Sequence, residues 1–231
     1  LTALAGSLAA ISANAAEMTV SGATMLTYTS EDTTETTGNP YGMKTNLSFT
    51  ASGEVNGYNV SYMQTSKDQF AGMSSARLSV DMGDMGTLAF DQGSGSGLAT
   101  IDDKTPTAAE EIWDGLDTTT SGRVGAVGNT GVFNYINTFG GVTLNAAAKR
   151  GSGSATADGG SSADGEGSGW DFALTTDGSM LGIDGLALGA GYGEISAGEK
   201  AATTGDNGDT TNLTGFVNYS IGPVTLGYQQ S

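Results

Sequence analysis

The sequence contains no cysteine and no histidine. The first absence removes any disulfide framework, thiol nucleophile or cysteine zinc site; the second removes the commonest metal ligand and general base. Most routes to enzyme chemistry close together, so the chain is expected to be no enzyme, with no catalytic residue, metal or cofactor. Charge is scarce as well, at 14% of residues where an average soluble domain carries roughly 25%. Bases are the scarcest of all, 8 against 25 acids, for a net charge of −17. Phosphate binding rests on clustered Lys and Arg, so nucleic acid is not an expected partner. Solvation or attraction of cations suits the balance better. With apolar residues at 37% and 38 glycines in 231 positions, the chain has poor material for a globular core.

Long apolar runs are also missing, apart from residues 1–15, an uncharged stretch of Leu, Ala, Ile, Ser, Thr, Gly and Asn. It ends Ala13-Asn14-Ala15, a small-x-small cleavage pattern before Ala16-Glu17, and it is short for a membrane-spanning helix at ~15 residues. Residues 1–15 are read as the back half of a signal peptide, and the sequence is expected to begin partway through its gene. Residues 16–231 form the mature domain.

From Glu17 onward the period is two. Met18, Val20, Leu26 and Tyr28 alternate with Thr19, Ser21, Ala23 and Thr27, although Met25 sits on the polar side. Leu47, Phe49 and Ala51 alternate with Ser48, Thr50 and Ser52, and Asn56-Gly57 gives a strong hairpin signal before Tyr58, Val60 and Tyr62. Ala76, Leu78, Val80 and Met82 oppose Arg77, Ser79 and Asp81; a turn at 83–86 leads to Leu88 and Phe90. Beyond residue 130 the spacing predicts strands at 132–139, at 142–148, from Trp170, from Leu186, and in a last hairpin about Gly222-Pro223. In the strand at 132–139, Phe133 and Tyr135 compete with Val132 and Ile136 for the apolar face, leaving its facing open. The strand from Leu186 is thin on one side, where Ala187, Gly189, Gly191 and Gly193 fall.

Long and short connections alternate along this series. That is the signature of an up-and-down barrel with tight turns at one rim and extended loops at the other. The polar face, with Arg77 and Asp81 as pore-wall candidates, suits a wall between lipid and water. Tyr28, Tyr58, Trp170, Tyr192, Tyr219 and Tyr228 lie near run ends, where interfacial aromatics belong.

One stretch breaks the rhythm. Between Gln92 and Gly122 stand Asp102, Asp103, Glu110, Glu111, Asp114 and Asp117 against the single base Lys104. Thr105 and Pro106 carry a helix-start signature and Gly115 a stop. Gly93-Ser94-Gly95-Ser96-Gly97 follows a strand but lacks dinucleotide-site spacing, so it reads as flexible loop. Glu110 and Glu111 are sequence neighbours, which a helix would point apart. A rival class is an exported β-rich surface or adhesion protein with acidic, Ca²⁺-binding loops, prompted by Asp206-Asn207-Gly208-Asp209 and Asp158-Gly159; the Ca²⁺-loop spacing is not met, and no fixed repeat appears.

With these residues in view, the chain resembles the Gram-negative porins, in particular the acidic, Gly-rich trimeric porins of alphaproteobacteria. The resemblance lies in Ser12-Ala13-Asn14-Ala15-Ala16-Glu17-Met18-Thr19-Val20-Ser21-Gly22, in Leu47-Ser48-Phe49-Thr50-Ala51-Ser52-Gly53-Glu54, and in Met85-Gly86-Thr87-Leu88-Ala89-Phe90 leading into the long loop. It implies an all-β, antiparallel transmembrane barrel of sixteen or so strands, a homotrimer in the outer membrane among lipid and lipopolysaccharide, passing small hydrophilic solutes and ions by passive diffusion. About eleven strands can be counted and no terminal aromatic follows Gln230-Ser231, so the barrel domain is expected to be C-terminally truncated. The resemblance places the loop after the fifth strand inside the barrel. Asp102, Asp103, Glu110, Glu111 and Asp114 are then expected at the constriction, Trp113 as the loop's anchor, and the pore to prefer cations; a solvated external loop is the competing account. The rich cluster of wall arginines expected from the resemblance is not visible.

Overall fold

Side chains that alternate in polarity can satisfy two different surroundings only if the backbone is extended, and extended backbone must find hydrogen-bond partners in neighbouring strands. The computed structural model describes residues 17–28, 41–66, 72–106, 127, 130–150, 168–196 and 209–231, and in it eleven strands follow one another in the order of the chain, without a crossover. All reported pairings are antiparallel. The expected all-β, up-and-down arrangement is therefore present. The chain divides into two compact units, Leu1–Asp81 and Met82–Ser231.

The first unit holds β1 (Glu17–Tyr28), β2 (Tyr41–Val55), β3 (Tyr58–Ser66) and β4 (Met73–Asp81). β2 starts at Tyr41, where Tyr41 pairs with Tyr28 and their rings lie 5.2 Å apart. Register puts Met18, Val20, Leu26, Phe49, Tyr62 and Leu78 on one face and Thr19, Ser21, Thr50, Ser61 and Ser79 on the other. Arg77 and Asp81 share that second face, as their parity required, and Met25 sits there too. At the β2–β3 hairpin Asn56 has φ 51° and Gly57 φ 83°, the left-handed pair that a two-residue turn demands.

The second unit holds β5 (Thr87–Gln92), β6 (Thr130–Phe139), β7 (Val142–Lys149), β8 (Gly169–Asp177), β9 (Leu186–Ile195), β10 (Thr210–Ile221) and β11 (Val224–Gln230). Register resolves the facing of β6. Phe133 and Tyr135 pair with Phe90 and Leu88, and with Ala148 and Ala146, on one face; Val132, Asn134 and Ile136 lie on the other with Asp91, Ala89 and Thr87. Along the whole chain the connections 56–57, 82–86, 140–141, 178–185 and 222–223 alternate with 29–40, 67–72, 93–129, 150–168 and 196–209. The one blemish is 67–72, shorter than its class; 178–185 is lengthened by a 3-10 turn, Gly178–Leu181, which Asp177 caps through the Ser179 N–H at 3.0 Å.

The distribution of burial is the reverse of a soluble sheet's. Leu26 is 74% exposed, Leu213 65% and Leu226 63%, whereas Asp91 is 0% and Asp171 1% exposed. Large apolar side chains are left exposed together on the sheet while these two carboxylates are taken in.

The left-handed backbone at Asn56 offers a test of local geometry. Asn56→Val forces a β-branched residue into the left-handed region and is expected to lower the unfolding free energy by about 1–2 kcal/mol, while Asn56→Gly stays within a few tenths. Denaturant titration of the three proteins checks this, and equal midpoints for Val and Asn would contradict the turn assignment.

Candidate functional site: the in-folded segment of the long connection

The connection between β5 and β6 does not leave the sheet freely. Its described part begins with Asp91 at the end of β5, whose carboxylate accepts hydrogen bonds from the Ser94 N–H at 3.0 Å, from the Ser94 hydroxyl, and from the Ser96 hydroxyl at 2.7 Å. These bonds wind the glycine- and serine-rich stretch into a fixed turn with Ser96 buried. The flexible loop expected there from its glycines is thus an ordered bend, held by an acid three residues upstream of Ser94.

A 3-10 turn, Gly97–Ile101, follows and lies against β7, β8, β9 and β10. Its N–H groups are met by side chains of the sheet: Gly97 donates to Asn145 Oδ1 at 2.8 Å and Leu98 to Asp171 Oδ1 at 3.0 Å. Leu98 and Ile101 are fully buried with Ala173, and Phe216 packs against them. The other oxygen of Asp171, Oδ2, accepts from the Val127 N–H at 2.7 Å. One carboxylate therefore ties the outgoing and returning limbs of the connection to the same point on β8. Further along, the Gln229 amide donates to the Ile101 carbonyl at 2.7 Å and accepts from the Lys104 N–H at 2.8 Å, and Asn218 donates to the Lys104 carbonyl at 2.5 Å.

Space for this packing comes from β9. A Cβ at Gly191 would collide with Leu98 Cδ1 and stand 2.5 Å from the Phe172 carbonyl oxygen; one at Gly193 would stand 2.5 Å from Asp171 Cβ, and one at Gly189 2.6 Å from Phe216 Cε1. The thin side of this strand is the floor under the loop. Gly97 is equally constrained, with φ 54° and a Cβ position already occupied by Asp171.

Of the residues expected at the site, Asp102 and Asp103 lie in this segment, half-buried, just beyond the turn. The Asp102 carbonyl accepts from the Gln229 amide at 3.3 Å, and the Asp103 carboxylate accepts from the Thr105 hydroxyl at 3.5 Å. Glu110, Glu111, Trp113 and Asp114 lie outside the described residues, as do the helix expected after Pro106, residues 1–15 and the acids at 158 and 206. Arg77 and Asp81 belong to the first unit, on its polar face. The residues that do the holding, Asn145, Asp171, Asn218 and Gln229, were not singled out from sequence. The one local signal was at Asp171, an acid paired with Gly193 of the glycine-lined β9.

Comparison with protein-family models finds no match to this chain, and comparison with curated protein sequences finds none either.

Two substitutions test the clasp. Asp171→Asn leaves one acceptor oxygen where two N–H groups need one each, at a cost of about 1–3 kcal/mol. Hydrogen exchange at Leu98 or Val127 is expected to accelerate several-fold to a hundred-fold relative to Val217 in β10; unchanged exchange at both would remove Asp171 from this role. Gly191→Val is expected to cost about 1–3 kcal/mol by overpacking and to expose the Leu98 amide in the same measurement. Retained protection there would show that the floor is not shaped by the missing side chain.

Proposed function

We propose that the chain is that of an outer-membrane porin, a water-filled channel for passive diffusion of small hydrophilic solutes and ions, with segment 92–106 as the described part of an in-folded constriction loop. The observation that carries this reading is the pairing of two opposite faces in the second unit. One face presents large apolar side chains to the outside; the other carries Asn, Asp, Thr and Gly and receives the long connection. Lipid on the apolar side and water on the polar side satisfy both faces, and strands whose backbone groups pair with their neighbours tolerate lipid contact. No helix among the described residues is long and apolar enough to cross a membrane, which leaves crossing by strands untouched.

The connection alternation supports a rim of short turns and a rim of long loops, as in an up-and-down barrel. The same reading carries the remaining expectations: export by a signal peptide, surroundings of lipid and lipopolysaccharide, assembly as a homotrimer, and no catalytic chemistry. Membership of the acidic alphaproteobacterial porin type rests on the sequence resemblance alone.

Selectivity follows from the field at the loop. Asp102 and Asp103 are half-exposed, and a passing monovalent cation at about 4 Å from one carboxylate gains roughly 1 kcal/mol in a water-like dielectric. The channel is therefore cation-preferring, and the preference fades with salt. Reversal potentials in planar bilayers across a potassium chloride gradient check this. The expected result is cation preference at low salt, reduced several-fold in the Asp102→Asn/Asp103→Asn protein; anion preference would sink the selectivity reading. Solubility in plain buffer with the same gel mobility heated and unheated would sink the membrane reading itself.

A further inference from the structure

The apolar face of the second unit is not smooth. β7 contributes only Ala146 and Ala148 to a band whose neighbours are aromatic. Ala148 pairs with Phe133 of β6 on one side and Trp170 of β8 on the other, and Ala146 pairs with Tyr135 and Phe172. Small residues on the middle strand and rings on both flanking strands make a groove of about 420 Å³. Its walls stand roughly 9–10 Å apart at the backbone, two inter-strand spacings. Within one wall Trp170 and Phe172 are stacked with centroids 6.3 Å apart, and behind the other Phe133 lies edge-on to Phe90 at 5.2 Å.

The groove has two different ends. Toward the short turn 140–141 the next residue of that face on β7 is Leu144, flanked by Leu174, so the floor rises and the groove closes. Toward the long-connection rim the alternation Ala146, Ala148 continues to Arg150, which is exposed just past the end of β7. Among the described residues the acid on this face of the neighbouring strands is Glu194 of β9. It pairs with Trp170 from the far side of β8 and accepts the Tyr192 hydroxyl at 2.6 Å. In a chain with 8 bases and 25 acids, a basic residue at the one open end of an apolar groove is a specific feature.

We propose that this groove seats the acyl chain of a phosphate-bearing lipid, with Arg150 taking the anionic headgroup at the rim. The inference rests on the membrane reading above. The shape fits one hydrocarbon chain lying along β7: apolar walls and floor, a stop at Leu144, and a guanidinium where the chain ends and the headgroup begins. Its volume lies within the range of small-ligand sites, about 300–1,000 Å³. Guanidinium groups bind phosphate through paired N–H donors, which gives the rim its headgroup preference. The aromatic walls suit the boundary between hydrocarbon and headgroups.

Trp170 reports on the groove directly. The chain has two tryptophans, and Trp113→Phe leaves Trp170 alone. In phosphatidylcholine vesicles doped with a lipid brominated on its acyl chain, Trp170 is expected to be quenched several-fold more by phosphatidylglycerol than by phosphatidylcholine at the same low fraction. Arg150→Gln should bring that ratio to one, and Ala146→Leu/Ala148→Leu should abolish it by filling the floor. A control places the only tryptophan at Leu226→Trp, on the exposed apolar face of β11, with both native tryptophans replaced by Phe. If this reporter is quenched while Trp170 shows no headgroup preference, or keeps its preference in Arg150→Gln, the groove proposal falls and the membrane reading stands. Trp170 unquenched by either lipid beside a quenched control means that a protein surface, such as a second copy, covers the groove, which also overturns it. No quenching at either position overturns the membrane reading and the groove together.

Discussion

Leu98 and Val127 stand near the two ends of the long connection between β5 and β6, and both donate their backbone N–H groups to Asp171 on β8. A carboxylate offers a separate oxygen to each limb, and Asp171 is 1% exposed when it does so. Burying a charge in this way is costly unless its lone pairs are met. Here the same bonds that meet them also satisfy the Leu98 N–H of the 3-10 turn and the Val127 N–H of the returning limb. The folding-in of the segment and the burial of the acid are thus one event: neither is stable without the other.

The rest of the second unit is arranged to permit that event. β9 gives up side chains at Gly189, Gly191 and Gly193 so that Phe216, Leu98 and Asp171 can occupy the vacated layer. β7 supplies Asn145, which accepts from the Gly97 N–H, β10 supplies Asn218, which donates to the Lys104 carbonyl, and β11 supplies Gln229, which donates to the Ile101 carbonyl and accepts from the Lys104 N–H. The other face of the same strands pays nothing for this, because alternation sends Trp170, Phe172, Leu174 and Leu213 the opposite way. A sheet can therefore be hydrophobic to its surroundings and polar to its loop by alternation alone.

Most of this fold was legible in the sequence, since period-two alternation and turn chemistry are local. Asn56-Gly57 announces its hairpin by the left-handed backbone it needs, and Met25 announces its polar face by parity alone. β6 was ambiguous for a physical reason: Val132 and Ile136 are apolar yet face the loop, where Val132 packs with Val127 and Ala147 in a small core of its own. Periodicity detects apolar faces, not what lies on them. The same blindness hid the anchors. An inward Asn or Asp on a strand reads alike whether it meets water or the backbone of a folded-in segment, and which of the two applies depends on a contact between residues such as 98 and 171 that no local window spans. The glycines of 93–97 misled in the other direction, because their freedom suggests motion while Asp91 and Gly97's close fit against Asp171 remove it.

The acids of the second unit thereby divide into two kinds, although composition counts them together. Asp91 and Asp171 are fully buried and their oxygens are engaged by N–H and hydroxyl groups; their charge is part of the loop's architecture. Asp102 and Asp103 follow the last turn of the folded-in segment, half-exposed, with the adjacent backbone pinned by Gln229 and Asn218. Exposed charges are screened by salt and buried ones much less so. In the proposed channel a salt-dependent cation preference therefore originates at Asp102 and Asp103, while removing Asp171 alters the pore chiefly by releasing the segment that carries them. Selectivity and loop position are separable in this design: the first depends on carboxylates that face the water, the second on a carboxylate that never does.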